Sequence, residues 1–226
     1  MLTTLDRHTV GQVLRARGVD AWGVAANEPR LPLAPDLPRA VSVVMRIDPS
    51  VLRGMRHGPT ADYEEEYLRL NRALDAATAA LVGTLQAHGH EAVAVPATSP
   101  GRDGATDDGT VFPHKTAATR AGLGWVGKTA LFVAHEFGPA VRLATVFTDL
   151  DLPPGTPVTA GACGDCRACV EACPAGCGRD VVWRAGMPLA ELFDATACRD
   201  HMAQYSGVGR EICGICIAAC PLSEHD

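Results

Sequence analysis

All nine cysteines of this chain lie between residues 163 and 220, and the 162 residues before them contain none. Clustered cysteines at short spacings in a cytosolic chain are metal ligands more often than disulfide partners. The first run is Cys163-x2-Cys166-x2-Cys169-x3-Cys173-Pro174. That is the spacing with which bacterial ferredoxins hold two [4Fe-4S] cubes. Two-residue gaps wrap a tight loop around one cube, so three thiolates reach three irons. The fourth cysteine leans away to the other cube. The proline after it, with its fixed φ and missing N–H, turns the chain out of the loop.

The second run, Cys213-x2-Cys216-x3-Cys220-Pro221, repeats the motif without its first cysteine, because Arg210 stands three residues before Cys213. Cys198, on a separate upstream segment, is the available replacement. Since the cysteine before proline serves the other cube, the expected sets are Cys163, Cys166, Cys169 and Cys220 for one, and Cys173, Cys198, Cys213 and Cys216 for the other. Cys177 is left over and reads as a small thiol without a ligand role. Structural zinc also uses paired CxxC ligands, but a four-cysteine run closed by proline is a cubane pattern.

The rest of the composition is that of a soluble globular chain: 47% hydrophobic, 20% charged, with no apolar run of about 18 residues. A membrane role is not expected. The amino end, with Asp6 and Arg7 where an apolar signal core would begin, points to the cytoplasm. A net charge of −6 offers no general attraction to phosphate backbones.

Before the cysteines, apolar periodicity predicts a helix over 5–17, strands over 21–26 and 40–47, and a long helix from Pro59 and Thr60 to Gly89. Its buried face is Tyr63, Tyr67, Leu70, Leu74, Ala77, Leu81 and Leu85. A strand over 91–97, a Gly/Asp-rich loop, a helix over 114–121 and strands near 130–135 and 140–147 follow. Residues 151–159, with three prolines and a glycine, read as a linker. The expected division is an α/β cofactor and substrate domain over 1–152 and a double-cluster domain over 153–226.

Residues 122–129, GLGWVGKT, satisfy the phosphate-loop pattern. A phosphate loop needs a strand before it and a helix after it, so that phosphate meets a helix amino terminus. Here the preceding segment is Ala-rich and helical and the following one strand-like, so nucleotide hydrolysis is not expected. The glycines instead suit close approach of the backbone to something flat or bulky.

From Asp108 to Pro221 the chain presents, in order, Asp108, AGLGWVGKTAL, FGPAVRLATVFTDLDL, the four-cysteine run, a lone cysteine and the three-cysteine run. This ordered set resembles the epoxyqueuosine reductase family, relatives of the corrinoid reductive dehalogenases. The resemblance implies a mixed fold (α+β/α/β): a nitroreductase-like, cobalamin-type domain followed by a bacterial-ferredoxin-like double [4Fe-4S] module. It implies that two clusters pass electrons to a cobalamin, which reduces the substrate. The family's acid is an aspartate seventeen residues before the GLGW tryptophan, which falls on Asp108, with Asp107 beside it. The run after it, GTVFPHKTAATR, departs from the family's usual Thr-Gly-Pro start, which makes His114 a second candidate acid and Lys115 a candidate ligand contact. Gly122, Gly124, Trp125, Gly127 and Lys128 become candidate cofactor contacts.

Pro221 stands five residues from the last residue, short of the carboxy-terminal helical repeats that family members use beside tRNA. With the acidic balance, this weighs against tRNA and for a small-molecule or modified-nucleoside substrate. A low-potential donor such as ferredoxin or flavodoxin is the expected partner. The alternatives are an electron carrier with no chemistry of its own and a flavin-dependent reductase.

Overall fold

The computed structural model describes residues 5–28, 34, 36–98, 113–205 and 212–224. Helix α1 (Arg7–Arg15) starts at Asp6, whose carboxylate accepts the Thr9 N–H at 2.8 Å and satisfies one orphan donor of the first turn. Strands β1 (Ala21–Ala26) and β2 (Arg39–Arg46) pair antiparallel, from Ala21 opposite Val44 to Ala26 opposite Arg39. A short α2 (Pro49–Leu52), capped by Asp48, and a 3-10 turn (Arg53–His57) come next. Helix α3 (Ala61–Ala87) begins after Thr60, whose hydroxyl accepts the Tyr63 N–H at 3.2 Å. Gly89 follows its end with a φ of 84°, a left-handed stop that glycine takes without strain.

Then come β3 (Ala92–Val95), α4 (His114–Arg120), the hairpin of β4 (Gly124–Val126) and β5 (Phe132–Ala134), and β6 (Val141–Thr148). Four short helices carry the cysteine-rich end: α5 (Ala168–Glu171), α6 (Leu189–Leu192), α7 (Ala195–Met202) and α8 (Ile215–Ala218). Residues 122–129 thus have a helix before them and a strand within them, the reverse of a phosphate loop. β4, α2 and the 3-10 turn are additions to the expected elements. Their three- to five-residue lengths are too short for a periodic signal.

The chain divides into two compact units, each assembled from separated stretches. The first comprises Met1–Met45, Leu70–Leu123 and Arg142–Pro157. It holds a four-stranded sheet of order β1-β2-β6-β3, in which β3 and β6 pair antiparallel. Val24, Val41, Val43 and Phe147 are fully enclosed there, as are Leu74, Leu81 and Leu85 of α3. Each such side chain stabilises the fold by roughly 2 kcal/mol through lost apolar surface. Within the segment expected to be a linker, the Gly155 N–H donates to the Val24 carbonyl at 2.8 Å, which ties it to β1.

The second unit comprises Arg46–Arg69, Gly124–Val141 and Val158–Asp226. Its apolar centre includes Val126, Ala130 and Leu192, with Trp183, Met187 and Phe193 packed around them. The cysteine-rich residues thus share one unit with the β4–β5 hairpin and the first turns of α3. Among the described residues, no helix is long and apolar enough to cross a membrane.

Candidate metal centre

The two cysteine runs fold alike. Cys169 is the second residue of α5 and Cys216 the second residue of α8, two four-residue helices that pack together. In each run one cysteine lies three residues before this position (Cys166, Cys213) and one lies four after it, ahead of proline (Cys173, Cys220). Gly214, at a φ of 86°, makes the left-handed entry into α8, where any side chain would also collide with Met55.

The thiols gather in two groups. Burial pushes the Cys220 thiol up to about 11, and Cys169, Cys163 and Cys166 beside it push the same way. Cys198 is raised by burial and then by Cys173 and Cys213. Cys216 is pushed up to about 12, again by burial first and then by Cys213, with Cys169 and Cys198 nearby. Cys220 thus has Cys163, Cys166 and Cys169 as neighbours and Cys198 has Cys173 and Cys213, while Cys216 has neighbours in both runs. All nine cysteines are free of disulfides.

Cys177, left over in the sequence, is completely buried, and its thiol hydrogen-bonds with Cys173 and Cys198. Burial pushes it up to about 12, with those two neighbours adding to the rise. Its closeness to the second group had no signal in the spacing. Two further side chains reach the thiols without having been singled out. The Thr129 hydroxyl hydrogen-bonds with Cys169 and Cys216, easing both thiols downward against the larger effect of burial. The Tyr205 hydroxyl hydrogen-bonds with Cys213 and lies 3.0 Å from His201 Nε2.

Among the described residues, no three His, Cys, Asp or Glu side chains come together as ligands of one metal ion. A cubane asks for a wider spacing, since each thiolate binds its own iron rather than a shared centre. Burial raises the Cys169, Cys198, Cys213, Cys216 and Cys220 thiols, so binding a metal through them would release protons.

The GLGWVGK residues are committed within the chain. Gly122, at a φ of 79°, leaves no room for a side chain, because a Cβ would stand 2.7 Å from the Thr156 carbonyl oxygen. A Cβ on Gly124 would collide with the Val133 carbonyl, and one on Gly127 would sit 3.0 Å from Val133 and 3.8 Å from the Cys163 sulfur. Trp125 Nε1–H donates to Cys163 Sγ at 3.3 Å. Lys128, only 4% exposed, pairs through Nζ with Asp180 Oδ1 at 2.8 Å, and Arg167 Nε reaches Asp180 Oδ2 at 3.1 Å. The Lys128 hydrogen bond, with Arg167 behind it, holds the Asp180 carboxyl below the usual range. The close approach expected of these glycines is real, but it is to the chain's own backbone and thiols. Among the described residues the Trp125 and Lys128 side chains meet a thiol and a carboxylate of the chain itself.

Asp107 and Asp108 lie outside the described residues. His114 opens α4 in the first unit, with Nδ1 2.9 Å from Thr145 Oγ1 and Nε2 2.9 Å from the Pro96 carbonyl oxygen. A carbonyl can only accept, so Nε2 carries the proton and Nδ1 accepts from the threonine hydroxyl. Burial lowers its pKa from 6.5 to about 4; Arg142 adds to the fall, while Pro96 and Asp75 oppose it. Lys115 is likewise lowered by burial.

The His114 shift has a signed consequence. The folded chain prefers the neutral ring, whereas the unfolded ring takes a proton near 6.5, so stability is full above that pH and falls as pH drops toward 4. The unfolding midpoint in urea should therefore decline between pH 7 and pH 4.5 by less in His114→Gln than in the unsubstituted chain. Equal declines would show that the ring does not titrate as described.

No protein-family model matches the chain. It is 31% identical over 119 residues to the tetrachloroethene reductive dehalogenase of Sulfurospirillum multivorans, covering 47% of this chain and 23% of that one. It is 34% identical over 122 residues to the epoxyqueuosine reductase of Lactococcus garvieae, covering 47% and 31% respectively. Among solved structures, the catabolic reductive dehalogenase NpRdhA matches with a TM-score of 0.78 at 18% identity, over 100% of this chain and 33% of that one. Epoxyqueuosine reductase with an epoxyqueuosine-modified tRNA stem loop matches with a TM-score of 0.62 at 20% identity, over 96% and 65%. The chain is similar in sequence to epoxyqueuosine reductases and reductive dehalogenases over about half its length. It shares their mixed α/β fold, and it spans under a third of these curated relatives' length.

Proposed function

We propose that this relative of the epoxyqueuosine reductases and reductive dehalogenases is an iron–sulfur oxidoreductase that holds two [4Fe-4S] clusters. Residues 153–226 carry the double-cluster, ferredoxin-like function, and residues 1–152 the cofactor and substrate function of a nitroreductase-like domain. The reading rests on the gathering of Cys163, Cys166, Cys169 and Cys220 in one neighbourhood and Cys173, Cys198, Cys213 and Cys216 in another. Bound there, the clusters would supply single electrons at low potential, in a reducing cytoplasm, from a donor such as ferredoxin or flavodoxin.

Cobalamin is the proposed acceptor, supported by the relatives, one of whose structures is described in terms of B12-dependent dehalogenation. Residues 122–128 are not assigned to hold it. The proposed substrate is a small molecule or a modified nucleoside, since a structural neighbour was solved with epoxyqueuosine-modified tRNA. Asp108 is the proposed acid. His114 is the weaker choice, because both its ring nitrogens are occupied and its ring is neutral.

The test is anaerobic purification with iron and sulfide analysis, then a visible spectrum after incubation with hydroxocobalamin and desalting. About eight iron and eight sulfide per chain are expected, with corrinoid bands retained. Four of each would refute the double assignment. A full complement of iron without retained corrinoid would favour an electron carrier.

A further inference from the structure

The tryptophan of the GLGW segment has a role that its likeness to a phosphate loop conceals. Trp125 is 7% exposed and sits on β4 opposite Val133. Its indole carries one polar atom, a donor with no capacity to accept, and a buried indole N–H needs a partner. That partner is the Cys163 sulfur at 3.3 Å. The hairpin that carries Trp125 is closely drawn together, because a Cβ on Gly124 would collide with the Val133 carbonyl, and Gly127 lies within van der Waals reach of the Cys163 sulfur. Cys163 is also the one cysteine of the first run with no counterpart in the second, where Arg210 takes the equivalent place.

We propose that Trp125 is a positioning residue that raises the reduction potential of the cluster held by Cys163, Cys166, Cys169 and Cys220, and of that cluster only, through its N–H···S hydrogen bond. This rests on the cluster reading above. Hydrogen bonds to ligating sulfurs are among the main determinants of cluster potential. The reduced cluster carries one more negative charge than the oxidised one, part of it on the sulfurs. An N–H aimed at sulfur therefore stabilises the reduced state more. Removing the donor must lower the potential, whereas removing ring bulk alone has no reason to do so.

The experiment is a redox titration followed by electron paramagnetic resonance on the cluster-loaded chain, comparing the unsubstituted protein with Trp125→Phe and His135→Leu. The His135 ring is exposed and lies 5.4 Å from the Trp125 ring, centroid to centroid, so its loss disturbs the same packing and leaves the donor in place. Trp125→Phe is expected to keep all its iron and to shift one midpoint downward, by up to about a tenfold change in the reduction equilibrium, which is about 59 mV for one electron. The other midpoint should stay, and His135→Leu should move neither. Full iron with both midpoints unchanged would overturn the role of Trp125 and leave the clusters standing. An unsubstituted chain that assembles no clusters would overturn both.

Should Trp125→Phe fail to fold, indole-15N labelling of the unsubstituted chain decides the matter. Only three tryptophans are present. A nitrogen hyperfine coupling from one indole to one reduced cluster is expected, and its absence from both clusters would defeat the proposal.

Discussion

Replacing Cys198 with alanine is expected to halve the iron of the anaerobically purified chain, from about eight atoms to about four. The second cysteine run has only three cysteines of its own, so under the proposed ligand sets its cluster would take Cys173 from the first run and a fourth thiolate from Cys198. Cys198 stands on α7, raised by burial and by Cys173 and Cys213 beside it. Cys177 makes the experiment sharper, since its thiol also touches Cys173 and Cys198. Cys177→Ala should keep about eight iron. If instead Cys198→Ala keeps both clusters and Cys177→Ala loses one, the ligand assignment is wrong. If Cys198→Ala keeps both clusters and only the double variant loses one, then Cys177 is a competent substitute ligand and the claim that Cys198 is indispensable fails.

Asp108→Asn should leave iron content and corrinoid retention intact and lower turnover of an epoxyqueuosine nucleoside probe by about a hundredfold or more. When a carbon–oxygen bond is reduced and broken, the departing oxygen needs a proton, and an acid within hydrogen-bond reach lowers that barrier. A carboxylic acid holds a proton at neutral pH only if its pKa is raised. Burial and the like charge of Asp107 act in that direction, and a nearby Lys115 acts against it. An asparagine of the same shape keeps the contacts and loses the proton. His114 offers a clean contrast: a neutral ring whose one N–H is given to the Pro96 carbonyl has no proton to spare near pH 7. His114→Gln should therefore alter the pH dependence of stability and retain turnover. Turnover that survives Asp108→Asn and vanishes in His114→Gln would move the acid to the histidine.

Much of the chain before the cysteines could be read along the sequence because its elements are long enough to be periodic. The seven apolar positions at steps of three and four in α3 are all buried, from Tyr63 to Leu85. β1 falls on the six residues expected, an apolar run bounded by Asp20 and Asn27. The direction of elements around residues 122–129 was also legible, because an Ala-rich helix and a β-branched strand differ in local propensity. What those residues touch was not legible. Gly124, Gly127 and Trp125 meet Val133 and Cys163, six to thirty-eight residues along the chain. Lys128, which matched the lysine of a phosphate loop, is neutralised by Asp180, fifty-two residues away.

The sequence alone determined the two cysteine runs and their spacings, because ligand spacing is a local property of a short loop and its helix. It also determined the long amphipathic helix and the strands of the sheet, whose periods are local as well. Only the tertiary structure decided that Met55, the start of α3 and the β4–β5 hairpin share a compact unit with the cysteine-rich residues. The same holds for the placing of Cys177, Thr129 and Tyr205 against the thiols. Those contacts join residues far apart in the chain. They are chosen by which buried surfaces and unpaired donors can satisfy one another at once, and no single segment encodes that choice.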